Sequence, residues 1–148
     1  MKKFLFIVFF ITLQLNLQSD DNIKFTDLIY IRKQNESITI KLKVAKAKTF
    51  KEWQKGLMNV KKMPLKCGML FIFPDEDYRI FWMKDTYIPL DIIFLDKNQK
   101  IVGIKENNRP MSKKNITIDK KSKFVLEVNA GFVKKYGIKT GDKLIFGK

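Results

Sequence analysis

The chain has 148 residues, no histidine and one cysteine, Cys67. Without histidine, Ser–His and Cys–His nucleophilic pairs are excluded, and the commonest transition-metal ligand is missing. A single cysteine can neither close an intramolecular disulfide nor build a thiolate-rich zinc site. Between Lys66 and Gly68, in an expected loop, Cys67 reads as an inert, half-buried thiol, because a nucleophilic role wants a base nearby. Arginine is also scarce. Lysine and arginine total 30, and only Arg32, Arg79 and Arg109 are arginines. Specific phosphate recognition favours arginine forks, and the lysines are scattered, so nucleic acid is not an expected partner. The formal charge of +15 does fit attraction to anionic polymers or lipid surfaces.

What is present is enough apolar material for a core. Hydrophobic residues make up 45% of the chain and aromatics 13%, which rules out a disordered polymer. Residues 1–19 read as a signal peptide. Lys2 and Lys3 supply the positive start, and the ten-residue apolar run Phe4–Leu13 is too short to span a bilayer as a helix. Cleavage after Ser19 is the expected outcome and an uncleaved anchor the alternative. Removing the leader takes the formal charge from +15 to +13. Residues 20–27 read as a flexible lead-in, and residues 28–148 as one β-rich domain. The expected location is exported, periplasmic or attached to the cell envelope.

Along the domain, Leu28–Ile31 is a short apolar run and Gln34–Glu36 a turn. Ile38, Ile40, Leu42 and Val44 alternate with polar residues, the period of a half-buried strand. Thr49 and Glu52 form a capping box for a helix over Thr49–Lys55, stopped by Gly56. Phe50, Trp53 and Leu57 give it one apolar face, with Trp53 as a core anchor. Met69–Phe73 reads as a strand ended by Pro74. Asp75, Glu76 and Asp77 lack the spacing of a calcium loop and read as a solvated turn. No metal and no cofactor is expected. Lys100–Ile104 and Phe124–Val128 are further strands. Between them, residues 106–122 form a loop longer than usual, the length at which binding loops occur. Ala130–Tyr136 reads as a short helix stopped by Gly137, and Leu144–Phe146 as the last strand. The result is a mainly β domain (α+β by strict count): one sandwich or barrel-like sheet of about seven or eight strands with two short helices.

The stretch Phe81–Asp96 carries the densest signal. Phe81–Met83 and Leu90–Leu95 suit strands, and Pro89 closes the loop between them. Ile92–Leu95 is apolar throughout, so both faces of that strand should be covered. Asp91 opens the strand. An unpaired buried charge is costly, so Asp91 needs Lys84, Thr86 or backbone N–H groups as partners. It either pins the loop or joins Trp82, Lys84, Thr86 and Tyr87 in a ligand pocket. In the second case Asp91→Asn weakens binding and spares most of the stability. Glu127, on an otherwise apolar strand, shares a face with Val125 and is either an edge residue or part of a polar site.

The stretch resembles the signature of the DUF192 family. Other pieces agree in order: Trp53–Met58, Gly68–Pro74, Val125–Gly131 and Gly141-Asp142, together spanning about residues 38–146. The resemblance implies a compact β-rich domain, often exported, and no established activity or cofactor.

Three functions remain open. The first is non-catalytic binding of a small polar or saccharide-like envelope ligand, with Trp82 and Tyr87 stacking and Lys84, Thr86, Asp91 and Glu127 orienting. The second is a carboxylate-dependent hydrolase of an envelope glycan. Asp91 and Glu127 would then flank one cleft, about 5–5.5 Å or roughly 6.5–9.5 Å apart. The third is a structural or partner-docking envelope protein, which would present a large exposed apolar patch. A monomer is expected.

Overall fold

The computed structural model describes residues 23–34, 37 and 39–147. The expected leader, residues 1–19, lies outside the described residues, as does most of the turn around Asn35. In chain order the elements are β1 (Asp27–Arg32), β2 (Thr39–Ala47), α1 (Phe50–Lys55), β3 (Cys67–Asp77), β4 (Leu90–Leu95), β5 (Ile101–Asn108), β6 (Ser122–Asn129), α2 (Phe132–Tyr136) and β7 (Lys143–Phe146).

The seven strands form one sheet in the order β5-β4-β6-β3-β2-β1-β7. The sheet curls until its two ends meet. Lys100 bridges Lys143, the Ile101 N–H donates to the Asp142 carbonyl at 2.8 Å, and the Leu144 N–H to the Gln99 carbonyl at 2.9 Å. The domain is thus mainly β, of the barrel-like kind, with two short helices. All pairings are antiparallel except β2 with β3. Parallel neighbours need a crossover, and the segment holding α1 provides it.

The period of two along each strand sorts the side chains into two cores. Ile29, Ile31, Ile40, Leu42, Val44, Leu70, Ile93, Leu126 and Leu144 fill the inside of the curl, and α2 adds Phe132 and Val133. Met69, Phe71, Phe73, Ile92, Phe94 and Val125 point outward from β3, β4 and β6. The crossover and the segment before β4 cover that outer face with Leu57, Met63, Met83 and Ile88. Every residue of β4 is therefore buried, the apolar run Ile92–Leu95 as expected and Asp91 with it.

Several local expectations need correction. Asp27 already belongs to β1, and Ile23 and Phe25 of the expected flexible lead-in pack against the outer core. β3 continues through Pro74 to Asp77. The register shifts between Ile72 and Asp77, and a proline with no N–H to donate is tolerated at such a bulge. Cys67 is the first residue of β3 and buried, not in a loop, and burial pushes its thiol up. Phe81–Met83 is not a strand: only Phe81 forms a bridge, to Ile116. β5 runs on to Asn108, which shortens the expected long loop. That loop is tied down by the Met83 N–H on the Ser112 carbonyl and the Met111 N–H on the Thr86 carbonyl.

Candidate functional site

The site begins at α1. The Thr49 hydroxyl accepts from the Glu52 N–H at 3.4 Å, and the Glu52 carboxylate accepts from the N–H groups of Lys48 and Thr49 at 2.7 and 2.9 Å. These bonds, that from Lys48 first, hold the Glu52 carboxyl below its usual range. The capping box is thus present as expected. The helix stops at Gly56, whose φ of 45° and ψ of −132° suit only glycine. A Cβ there would lie 3.2 Å from the Phe71 ring and 3.9 Å from a Glu127 carboxyl oxygen. Glycine at this point lets the crossover run tightly over the sheet.

Trp53 stands above the sheet and half-buried. Its indole N–H donates to the Ala47 carbonyl at 3.0 Å, and its ring packs on Phe73 at 4.9 Å between centroids. Phe50 does not join Trp53 and Leu57 on a buried face, because the six-residue helix projects it outward, 69% exposed. Opposite α1 runs the segment Tyr78–Trp82. Its bridge to Ile116 turns Phe81 inward, where it meets Phe71 edge-on at 5.0 Å. Ile80 and Trp82 alternate to the outside and are 66% and 48% exposed. Arg79 is held by three hydrogen bonds, to the Ser122 carbonyl at 3.1 Å and to the Asp75 carbonyl and carboxylate at 2.7 and 2.8 Å. Its guanidinium lies 4.0 Å over the Phe73 ring.

Between α1 and this segment lies a cleft of about 440 Å³. Its walls are aromatic: Phe50, Trp53, Phe73, Tyr78, Phe81 and Trp82. Glu127 also lines it, reaching out from β6 on the Val125 face. Glu127 is 5% exposed, and its Oε2 has no hydrogen-bond partner. Burial pushes its carboxyl up to about 8 from an ordinary 4.5, and no neighbouring cation offsets the shift. Glu127 is therefore mainly a neutral acid at pH 7. A broader hollow of about 610 Å³ adjoins the cleft beside Ile23 and β2, and none of its wall groups is a buried polar atom without a partner.

Of the six residues expected in the pocket, three reach this cleft: Trp82, Thr86 and Glu127. Thr86 is buried, and its hydroxyl donates to the Lys84 carbonyl at 3.1 Å. Lys84 and Tyr87 are exposed and lie outside the lining, with the Lys84 ammonium 6.0 Å from the Trp82 ring centroid. Asp91 is elsewhere. It is 0% exposed, and its two carboxylate oxygens accept from the N–H groups of Asn107 at 2.9 Å and Val133 at 3.0 Å. Asn107 has a φ of 53° beside a bulge in β5. Val133 lies in the first turn of α2, whose Gly131 cap has no side chain to offer. Asp91 thus caps α2 from a distance and fixes the bulge, with backbone N–H groups as its partners.

The strand register separates the two acids. Asp91 sits opposite Val128 and Ile92 opposite Glu127. Residues directly opposite share a face and successive residues alternate, so Asp91 and Glu127 point to opposite sides of the sheet. They cannot flank one glycosidic bond, and the paired-carboxylate hydrolase loses its geometry. Asp75, Glu76 and Asp77 end β3 instead of forming a turn, and no group of three or more metal-binding side chains occurs among the described residues.

The DUF192 family model, described as an uncharacterized ACR, matches residues 29–146. This chain belongs to the DUF192 family. Two solved structures share the fold of this DUF192 domain. One is the crystal structure of a "putative transcription regulator" from Sinorhizobium meliloti 1021, with 34% identity and a TM-score of 0.79, covering 81% of this chain and 92% of that one. The other is a protein of unknown function from Novosphingobium aromaticivorans DSM 12444, with 31% identity and a TM-score of 0.76, covering 80% of this chain and 83% of that one. No curated protein matches the chain.

Sequence reading missed Phe50, Phe73, Tyr78 and Ile80 as cleft residues and took Trp53 for a core anchor alone. One signal was available. Apolar residues occupy Tyr78, Ile80 and Trp82 as well as Phe81 and Met83, so both phases of the period of two are apolar although only one can face the core.

Proposed function

We propose that this DUF192 domain is a non-catalytic binding module, exported to the envelope, that holds a small ligand in the cleft between Trp53 and Trp82. The observation that carries this reading is Glu127: a buried carboxyl oxygen without a partner, lining an aromatic cleft. Buried polar groups are almost always hydrogen-bonded, and leaving one unmade costs about 1–3 kcal/mol. A ligand that supplied the missing bond would recover part of that cost. The volume falls in the usual range for small-molecule sites, and the mix of apolar wall and few polar groups is their usual composition. A ring-shaped ligand such as a saccharide could stack on Trp82. With Glu127 as the one carboxyl among the lining residues, the cleft lacks the second acid that hydrolysis needs. Export rests on the leader sequence, and the formal charge of +13 left after its removal supports a looser, salt-sensitive attraction to anionic envelope polymers. That charge is carried by scattered lysines and three arginines, not by the arginine forks that specific phosphate recognition favours.

The test is a titration of the isotope-labelled protein with envelope saccharides and peptidoglycan fragments, followed by amide and indole NMR signals. Binding should move the Trp53 and Trp82 indole signals and be lost in Trp82→Ala. Absence of any response, or binding untouched by Trp82→Ala, would refute the cleft.

A second reading draws on the exposed rim of Phe50, Tyr78, Ile80 and Trp82, which could seat an apolar partner protein. Such a partner would cover the rim without reaching Glu127, so Glu127→Leu would leave its binding intact.

A further inference from the structure

The groups around Glu127 define the ligand more narrowly, given the binding reading above. Across the sheet, Glu127 is opposite Met69 on β3 and Ile92 on β4. Above it lie Gly56 and the Phe71 ring. None of these carries charge. The charged residues elsewhere in the lining are Lys55 and Arg79, both cations. Arg79 is already occupied by Asp75 and the Ser122 carbonyl, and Lys55 likewise has an interaction of its own. A neutral Glu127 carboxyl offers a cationic ligand no charge to pair with. An anionic ligand can accept from its O–H but sets its own lone pairs against the second carboxyl oxygen. An uncharged ligand that carries both a donor and an acceptor meets neither obstacle.

A protonated carboxyl carries one O–H donor and an acceptor oxygen side by side. A primary amide, or the cis amide of a lactam, carries the complementary pair with similar spacing, a carbonyl acceptor beside an N–H donor on the same side; a trans secondary amide points the two in opposite directions. A hydroxyl offers both functions from a single atom and cannot meet both carboxyl oxygens in one plane. We propose that Glu127 acts in the neutral form as the specificity-determining group of the cleft, and that the ligand is an uncharged molecule bearing a primary or lactam amide next to a flat or apolar ring. Aromatic carboxamides and ring lactams both belong to this class. The Glu127 O–H donates to the amide carbonyl, the amide N–H donates to the other carboxyl oxygen, and the ring lies against Trp53 or Trp82. The raised carboxyl is consistent with this state, since a group titrating at about 8 is roughly nine-tenths protonated at pH 7.

Three probes with one ring and different heads test it on the full chain: 2-phenylacetamide, benzyl alcohol and benzyltrimethylammonium. Binding is read from the tryptophan indole NMR signals at pH 7 and pH 9. 2-phenylacetamide, whose primary amide sets N–H and carbonyl on one side, should bind at least tenfold tighter than the other two. Its affinity should fall about tenfold from pH 7 to pH 9, as the carboxyl loses its proton through about 8. Glu127→Gln, which keeps a donor and an acceptor, should retain binding and lose the pH dependence. Glu127→Leu, an apolar residue on a buried strand, should fold and lose the preference for the amide. Equal binding of the acetamide and the alcohol would overturn the amide assignment and leave the cleft as a binding site. Tightest binding of the ammonium, strengthening toward pH 9 and lost in Glu127→Gln, would replace it with a cation site. No indole response to any of the three would overturn both the assignment and the binding reading.

Discussion

Replacing Glu127 by glutamine should stabilise the protein near neutral pH, and the size of the effect follows from burial. The carboxyl titrates near 4.5 when free and near 8 in the fold, with desolvation as the cause. Below pH 4.5 the folded and unfolded chains both hold the proton, and Glu127 contributes no pH dependence. Between 4.5 and 8 the unfolded chain has released it while the folded chain still holds it. The folded state then binds more protons, so stability falls as pH rises. Each pH unit of that interval costs about 1.4 kcal/mol, which makes roughly 5 kcal/mol over the whole of it and roughly 3 kcal/mol by pH 7. Above 8 both states are ionised and the loss is complete. Glutamine keeps the shape and does not titrate, so the variant escapes this slope. Urea unfolding followed by tryptophan fluorescence, at steps from pH 4.5 to 9 for both proteins, gives the two curves, and their difference cancels the titration of the other acids. The curves should converge at pH 4.5 and separate toward pH 8. Parallel curves would mean that Glu127 is hydrated or paired, and the neutral buried acid would be refuted.

Asp91→Asn should destabilise the protein by about 2–4 kcal/mol, because an amide leaves one of the two N–H groups facing a donor; a denaturation midpoint unchanged from the parent would contradict the capping role. Gly68→Ala should cost about 2 kcal/mol or more, since its Cβ would lie 2.5 Å from the Glu127 carbonyl oxygen on β6, and calorimetry of the variant checks it. Trp82→Ala removes a rim residue that is half exposed, so its melting temperature should stay within a few degrees of the parent, a change of roughly 1 kcal/mol or less, while any ligand response in the cleft disappears.

The parts of the fold that were legible in the sequence are those decided by neighbours a few residues apart. The alternation of Ile40, Leu42 and Val44 with Lys41 and Lys43 becomes an inside and an outside of β2. Thr49 and Glu52 satisfy each other within one turn, so the helix start is visible without any tertiary contact. The failures share another cause. Pro74 normally ends a strand, yet β3 passes it because a shift in pairing with β6 leaves its missing N–H unneeded. Phe81–Met83 has strand composition but forms a β-bridge only at Ile116, a partner 35 positions away that no local pattern announces. Phe50 fits the apolar stripe of α1, but a six-residue helix cannot bury a whole face.

Asp91 and Glu127 show where local reading stops. In sequence they are the same feature, one acid within an apolar strand, and each must be paired, neutral or costly. What separates them is the set of groups they meet. Asp91 meets two backbone N–H groups, from residues 16 and 42 positions along the chain, and becomes a structural cap. Glu127 meets Met69, Ile92 and the Phe71 ring, and its carboxyl stays without a donor. The register of β4 on β6 then sends them to opposite sides of the sheet, and that register is fixed by the whole curl, not by either strand. Partner supply therefore decides which acid is free to serve a site. The acid whose needs are met within the chain holds the fold, and the acid left unmet beside an open cleft is the one with a bond to give to something else.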